Sequence, residues 1–189
     1  KVPRYYFMPL CTEPPWDRIR NALDGGKKVL WVSNTVARCM EVGKKTEQQI
    51  VSVKILPYHS RYRYMDRLRR HDEVINAFAN NQPILAVTTQ VCEVSLDISA
   101  DLLVTDLAPV PALIQRLGRL NRRATPENPG RPCETLFLQP ISAIPYDKAD
   151  LAKAREWLSR LVGRPVSQKD LALEFEDIVD DKPEIWQNV

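Results

Sequence analysis

Five-residue apolar runs recur along this chain: Val29-Leu30-Trp31-Val32-Ser33, Ile84-Leu85-Ala86-Val87-Thr88 and Leu102-Leu103-Val104-Thr105-Asp106. Each is nearly continuous in apolar character and closes on a polar residue. A run this short fits a strand better than a helix, and its lack of alternation places it in a sheet covered on both faces. Between the runs lie longer segments. A helix is predicted from Val36 to Lys45, an alternating strand from Ile50 to Leu56 closed by Pro57, and a charged helix from about Arg61 to Asn80. Glu134 to Leu138 is predicted to be the last strand. Strands separated by helices of this length pair in parallel through right-handed crossovers. The predicted fold is α/β, an open parallel sheet with helices on both faces. Ligands of such sheets sit at the carboxyl ends of strands, where Ser33-Asn34, Thr89-Gln90 and Asp106 fall.

The far end changes character. Proline is dense between Thr125 and Pro145, which reads as linker. Asp147 to Val162 follows a helical period, with Leu151, Ala154, Trp157, Leu158 and Leu161 on one stripe, and Gln168 to Lys182 is acidic. The expected division is one domain over residues 1–140 and a linker with a helical C-terminal appendage over 141–189. Composition permits this: 44% of the 189 residues are apolar and 27% charged, enough for a core and too apolar for disorder. A net charge of +3 means that any nucleic-acid contact must come from local clusters. Cys11, Cys39, Cys92 and Cys133 lack metal-ligand spacing and suit a reducing, cytoplasmic compartment. No apolar run reaches the ~18 residues of a membrane span, and no signal peptide is visible. The chain opens on Lys1 rather than methionine, so it reads as a piece of a longer protein.

The chemistry concentrates in Gln115-Arg116-Leu117-Gly118-Arg119-Leu120-Asn121-Arg122. On a helix, Arg116, Arg119 and Arg122 would follow one another at i,i+3 and share a face. Guanidinium forks match phosphate oxygens and keep their charge, so such a face suits phosphoryl transfer. Yet no phosphate-cradling loop accompanies it. Gly26-Lys27 and Gly43-Lys44 are each followed by lysine and lack the upstream glycine. Thr89 and Gln90, just after a strand, can hold a nucleic-acid backbone without reading sequence, and Asp97 can accept from a ribose hydroxyl. Arg63, Arg67, Arg69 and Arg70 read as a solvated basic helix face. His71-Asp72-Glu73 mimics both an ATPase acidic motif and a metal-phosphohydrolase pair. No apolar strand precedes it, and the chain has two histidines in all, so both matches fail. His59 reads as a hydrogen-bonding corner residue.

From Lys28 to Arg123 these blocks resemble the second RecA-like domain of superfamily 2 helicases. Val29 to Val42 resembles motif IV, and Pro57-Tyr58-His59-Ser60-Arg61 with Asp66-Arg67 resembles the segment that follows it. Val87 to Asp97 resembles motif V, and Gln115 to Arg122 resembles motif VI, the arginine-finger motif. Within the superfamily, His-Ser-Arg, Thr-Gln-Val-Cys-Glu-Val-Ser-Leu-Asp and Gln-Arg-Leu-Gly-Arg-Leu-Asn-Arg are most similar to the CRISPR-associated helicase–nucleases of type I systems. In that family Glu93 and Ser95 stand where many other helicases carry alanine and glycine.

The resemblance implies an ATP-dependent single-stranded DNA helicase or translocase of prokaryotic CRISPR interference. It implies that Arg119 and Arg122 reach the γ-phosphate of ATP, and that Gln115 and Arg116 couple nucleotide state to domain closure. Gly118 would let the segment approach its neighbour, and Asp97 would contact ribose or finger. Ser33, Asn34, Thr35, Thr89 and Gln90, with Arg61 at a strand-to-helix corner, would touch the DNA backbone. ATP and Mg would be held mainly by a first RecA-like domain. That domain, a nuclease domain and a CRISPR surveillance complex would be partners, with no membrane and no metal held by this chain. Alone, the chain would not hydrolyse ATP. The alternatives are an RNA or DNA helicase outside CRISPR, and a non-catalytic docking module.

Overall fold

The computed structural model describes residues 2–51 and 53–179. In chain order the elements are β1 (Pro3–Phe7), α1 (Trp16–Asp24), β2 (Lys28–Val32), α2 (Val36–Gln49), β3 (Ile55–Tyr58), α3 (Tyr64–Ala79) and β4 (Ile84–Thr88). They continue as α4 (Val91–Ser95), β5 (Leu102–Asp106), α5 (Val110–Leu117), β6 (Cys133–Leu138), α6 (Lys148–Leu161), β7 (Pro165–Ser167) and α7 (Gln168–Val179). The strands form one seven-stranded sheet in the order β3-β4-β2-β5-β6-β1-β7. All neighbours run parallel except β1 and β7.

Both faces are covered, as the unalternating strands require. On one face Val29 and Trp31 of β2, Leu85, Val87, Leu102 and Val104 pack against Ile19 and Leu23 of α1 and Cys39 and Val42 of α2. On the other, Leu30, Val32, Ala86 and Leu103 join Val74 and Phe78 of α3, Leu113 and Leu117 of α5, and Trp157 of α6 in a larger cluster. The chain steps from β2 out to β3, back to β4, then across β2 to β5. That reversal puts the carboxyl ends of β4, β2 and β5 at a switch point of the strand order, the usual ligand site of open α/β sheets.

Four expectations need correction. Glu134 to Leu138 is not the last strand: β7 follows and pairs antiparallel with β1, placing Pro3 opposite Ser167. β1, which sequence reading left unassigned, lies between β6 and β7, with Tyr5 and Phe7 fully buried. The expected strand at Ile50–Leu56 is shifted, because α2 runs on to Gln49 and β3 passes through Pro57. β3 is an edge strand, so the missing N–H of Pro57 leaves no ladder bond unmade. The helix expected through Arg122 stops at Leu117. Residues 141–179 are tied to the same body: α6 buries Leu151, Ala154, Trp157, Leu158 and Leu161. The acidic stretch is α7 as far as Val179, and its remainder, 180–182, lies outside the described residues.

Candidate functional site

The strand ends are finished by short connections that put polar residues in a row. After β2, Ser33 N–H continues the ladder to the Thr88 carbonyl at 2.8 Å. Thr35 then caps α2, its hydroxyl accepting from Arg38 N–H at 3.1 Å, which satisfies one orphan donor of that helix. After β4, Thr89 is buried and Gln90 is exposed at the start of α4. After β5, Asp106 is buried, and its Oδ2 accepts Asn34 N–H at 3.0 Å.

Arg116 lies under this row, fully buried. Its Nε donates to Glu93 Oε1 at 2.9 Å. Nη1 reaches Asn34 Oδ1 at 3.1 Å, Thr105 Oγ1 at 2.9 Å and the Asp106 carbonyl at 3.1 Å, and Nη2 reaches the Tyr146 hydroxyl at 3.3 Å. One guanidinium thus ties together α4, the ends of β2 and β5, and the segment leading to α6. A buried arginine is tolerated on such terms, with a carboxylate partner and its N–H groups bonded. Asn34 is equally committed, since its Nδ2 donates to the Leu107 carbonyl at 2.9 Å.

α5 closes on Gly118, its C-cap, which is still right-handed helical, and Asn121 then adopts φ 48°, in the left-handed region that asparagine tolerates. Ala100 N–H donates to the Arg119 carbonyl at 2.8 Å and Asn121 N–H to the Ala100 carbonyl at 3.0 Å, pinning this turn beside the segment after α4. Asn121 Nδ2 bonds the Arg4 carbonyl at 3.1 Å and so fixes the turn to β1. Arg119 Nε and Nη2 then meet the carbonyls of Cys92 at 3.0 Å and Glu93 at 2.6 Å, at the C-terminal end of α4. Arg122 Nη1 pairs with Asp97 Oδ1 at 2.8 Å, with the arginine 44% and the aspartate 80% exposed. All three arginines therefore address one short segment, residues 92–97, although they share no helical face.

Several titrating groups are displaced here, and burial raises the Tyr146 hydroxyl among them above its usual range. Burial raises the Asp106 carboxyl above its usual range, against the opposing pull of Asn34 N–H and of the Arg38 and Arg116 charges. Burial pushes the Cys92 thiol up to about 12, so it is a packing group rather than a nucleophile.

Arg119, Arg122 and Asp97 are brought together with α4. Gln115 is exposed on α5, and a Cβ at Gly118 would lie 3.1 Å from the Gln115 carbonyl. Ser33, Asn34 and Arg116 are buried, whereas Thr35, Gln90 and Arg61 keep access to solvent. Sequence reasoning gave no site role to Glu93, Thr105 or Tyr146. Glu93 was visible as a departure from the usual helicase residue, while Tyr146 carries no local signal. Among the described residues, no group of three or more His, Cys, Asp or Glu side chains could hold a metal ion, and no helix is long and apolar enough to cross a membrane.

A mostly parallel sheet with this order, and an arginine-bearing turn docked on the helix after its fourth strand, define the second RecA-like domain of a helicase. Residues 25–125 match the family model described as CRISPR-associated nuclease/helicase Cas3, C-terminal, and the chain belongs to that family. It is 51% identical over 171 residues to a putative CRISPR-associated nuclease/helicase Cas3 of Myxococcus xanthus, covering 90% of this chain and 22% of that protein. The chain thus spans about a fifth of the relative's length. The crystal structure of T. fusca Cas3-ADP superposes with TM-score 0.81 at 22% identity, over 96% of this chain and 25% of that one. Domain 2 of the DEAD-box helicase Mss116p, bound to an RNA duplex, superposes with TM-score 0.59 at 14% identity, over 94% of this chain and 71% of that one. At these identities the two structures speak for the fold alone.

Proposed function

We propose that this chain is the C-terminal motor half of an ATP-dependent single-stranded DNA helicase or translocase in CRISPR interference. The observation that carries this reading is the docking of Arg119 and Arg122 on residues 92–97, with Arg122 half-exposed and held by one exposed carboxylate. An exposed ion pair of this kind is weak, so an incoming phosphate can take the guanidinium from Asp97. Arg119 is held from behind by two carbonyls and is aimed rather than free. This half-site fits the outer end of a nucleotide and has no cradle for its phosphates. ATP and Mg²⁺ are assigned chiefly to a first RecA-like domain, with the nuclease metals in a further domain.

When bound there, ATP supplies a γ-phosphoryl group on which charge develops during transfer, and Arg119 and Arg122 neutralise that charge. Arg116 and Glu93 join the finger-bearing turn to the ends of β2 and β5. Closure on nucleotide is thereby transmitted to Thr35, Gln90 and Arg61, which keep access to solvent and which we assign to the DNA backbone, together with Thr89, whose side chain is buried beside Gln90 in the sequence. Gln115 is assigned to the domain interface. Backbone contacts suit a motor, which must accept any sequence. A CRISPR surveillance complex is the proposed partner that delivers the strand.

In the full protein, Arg119→Ala or Arg122→Ala should lower DNA-stimulated ATP hydrolysis by about 10³-fold or more, with single-strand binding largely kept. Near-normal hydrolysis in both variants would overturn the finger assignment. The chain alone should show no turnover.

A further inference from the structure

α3 is anchored at only one end. Its buried residues are Val74 and Phe78, and nothing from Tyr64 to Glu73 is buried. The free end carries an apolar group: Tyr64 is 64%, Met65 66% and Leu68 43% exposed. Scattered apolar residues on a surface need no explanation, but three within five positions of one helix do.

Charge says what covers them. Arg61, Arg63, Arg67 and Arg69 surround the group in sequence, and among the described residues none has a carboxylate partner, whereas Arg70 pairs with Glu73 at 2.9 Å. The Arg67 guanidinium lies over the Tyr64 ring at 5.8 Å. The first turn of α3 has no side-chain cap, so its N–H groups add to the positive field, against which stands one carboxylate, Asp66, among the four arginines. His59 stacks on Tyr62 with centroids 4.4 Å apart, which fixes the loop carrying Arg61 and Arg63. Unpaired arginines beside an exposed aromatic ring suit a strand that offers both phosphates and bases.

Position agrees. Tyr58, at the carboxyl end of β3, lies opposite Thr88 of β4, just before Thr89 and Gln90. β3 therefore ends one strand spacing, about 5 Å, beyond the Thr89-Gln90 end of the row, and the loop from His59 to Arg63 leads from that end into α3. We propose that Tyr64, Met65 and Leu68, ringed by Arg61, Arg63 and Arg67, form a base-stacking platform for single-stranded DNA that extends the strand-end row past β3. This rests on the DNA-motor reading and adds a contact to the bases themselves, made through ring faces and so tolerant of sequence.

The test is fluorescence anisotropy of the full protein with an oligothymidine strand, and with the same strand carrying single abasic positions. Tyr64→Ala should weaken binding about tenfold and Tyr64→Phe should leave it unchanged. One abasic position should weaken wild-type binding by a similar factor and have no further effect in Tyr64→Ala. Tyr64 is exposed, so both variants should melt like the wild type. If Gln90→Ala weakens binding but Tyr64→Ala does not, the platform is wrong and the motor reading stands. Loss of a bound protein partner in Tyr64→Ala with unchanged oligonucleotide affinity would also overturn the platform. If wild-type protein fails to bind the strand at all, the motor reading itself falls.

Discussion

Two stretches of this chain are equally rich in arginine and end in opposite physical states. Between Arg116 and Arg122, each of the three guanidinium groups is bonded to a carbonyl or a carboxylate of residues 92–97. Between Arg61 and Arg69, no guanidinium has a carboxylate partner among the described residues. The first stretch lies where the strand ends and α4 present acceptors, so its arginines knit the fold and hold their neighbours in place. The second lies on a helix end that projects past the sheet, so its arginines keep their field for a ligand. Side-chain type is the same in both; the acceptors within reach differ.

That contrast can be broken, beginning with its largest effect. Arg116→Ala should destabilise the chain by about 3–5 kcal/mol, because it strands Glu93 and leaves several buried acceptors unpaired. A urea midpoint close to the wild-type value would mean that the buried network is dispensable. The triple change Arg61→Gln, Arg63→Gln and Arg67→Gln should move stability by no more than about 0.5 kcal/mol per site. The same variant should flatten the slope of log affinity against log salt by about 2, since each phosphate contact on a single strand contributes roughly 0.7. An unchanged slope would return that face to the status of solvated surface. Thr35→Ala should cost about 1 kcal/mol through the lost cap of α2, with Thr35→Ser close to wild type. DNA affinity lost in Thr35→Ala at unchanged stability would make Thr35 a ligand contact first.

The smallest effect concerns His59. Burial, then the Arg61 charge, holds its imidazole below the usual 6.5. The unfolded chain therefore binds the proton more readily, and stability should fall as pH drops below about 6.5. His59→Gln should lose that part of the slope in thermal melts between pH 7 and 5. An identical slope in both proteins would mean that folding leaves the His59 imidazole unshifted.

The central strands were readable because a strand buried on both faces must be apolar along its whole length. The helix joining β3 to β4 was readable from its period and charge. β1 and β7 were not. Pro3–Phe7 is an ordinary short segment until Cys133–Thr135 and Pro165–Ser167 flank it, and those partners lie more than a hundred residues away. Pro57 reads as the end of a strand, and that β3 runs through it follows only from its place at the sheet edge, a property of the pairing order. Arg119 and Arg122 were legible as a pair by motif, yet the helical face that seemed to unite them ends at Leu117. They are united by the turn through Asn121 and by the carbonyls and carboxylate they meet.

The sequence alone determined the α/β class, the order of the central elements and the positions of the motif residues. The first two follow from periodicity and residue chemistry over a few neighbours, and the third from resemblance to the helicase motifs. The tertiary structure decided which arginine is buried, which is presented and which residues complete the row. Those outcomes depend on acceptors such as Glu93, Asp106 and Tyr146, which lie close only after the sheet has formed.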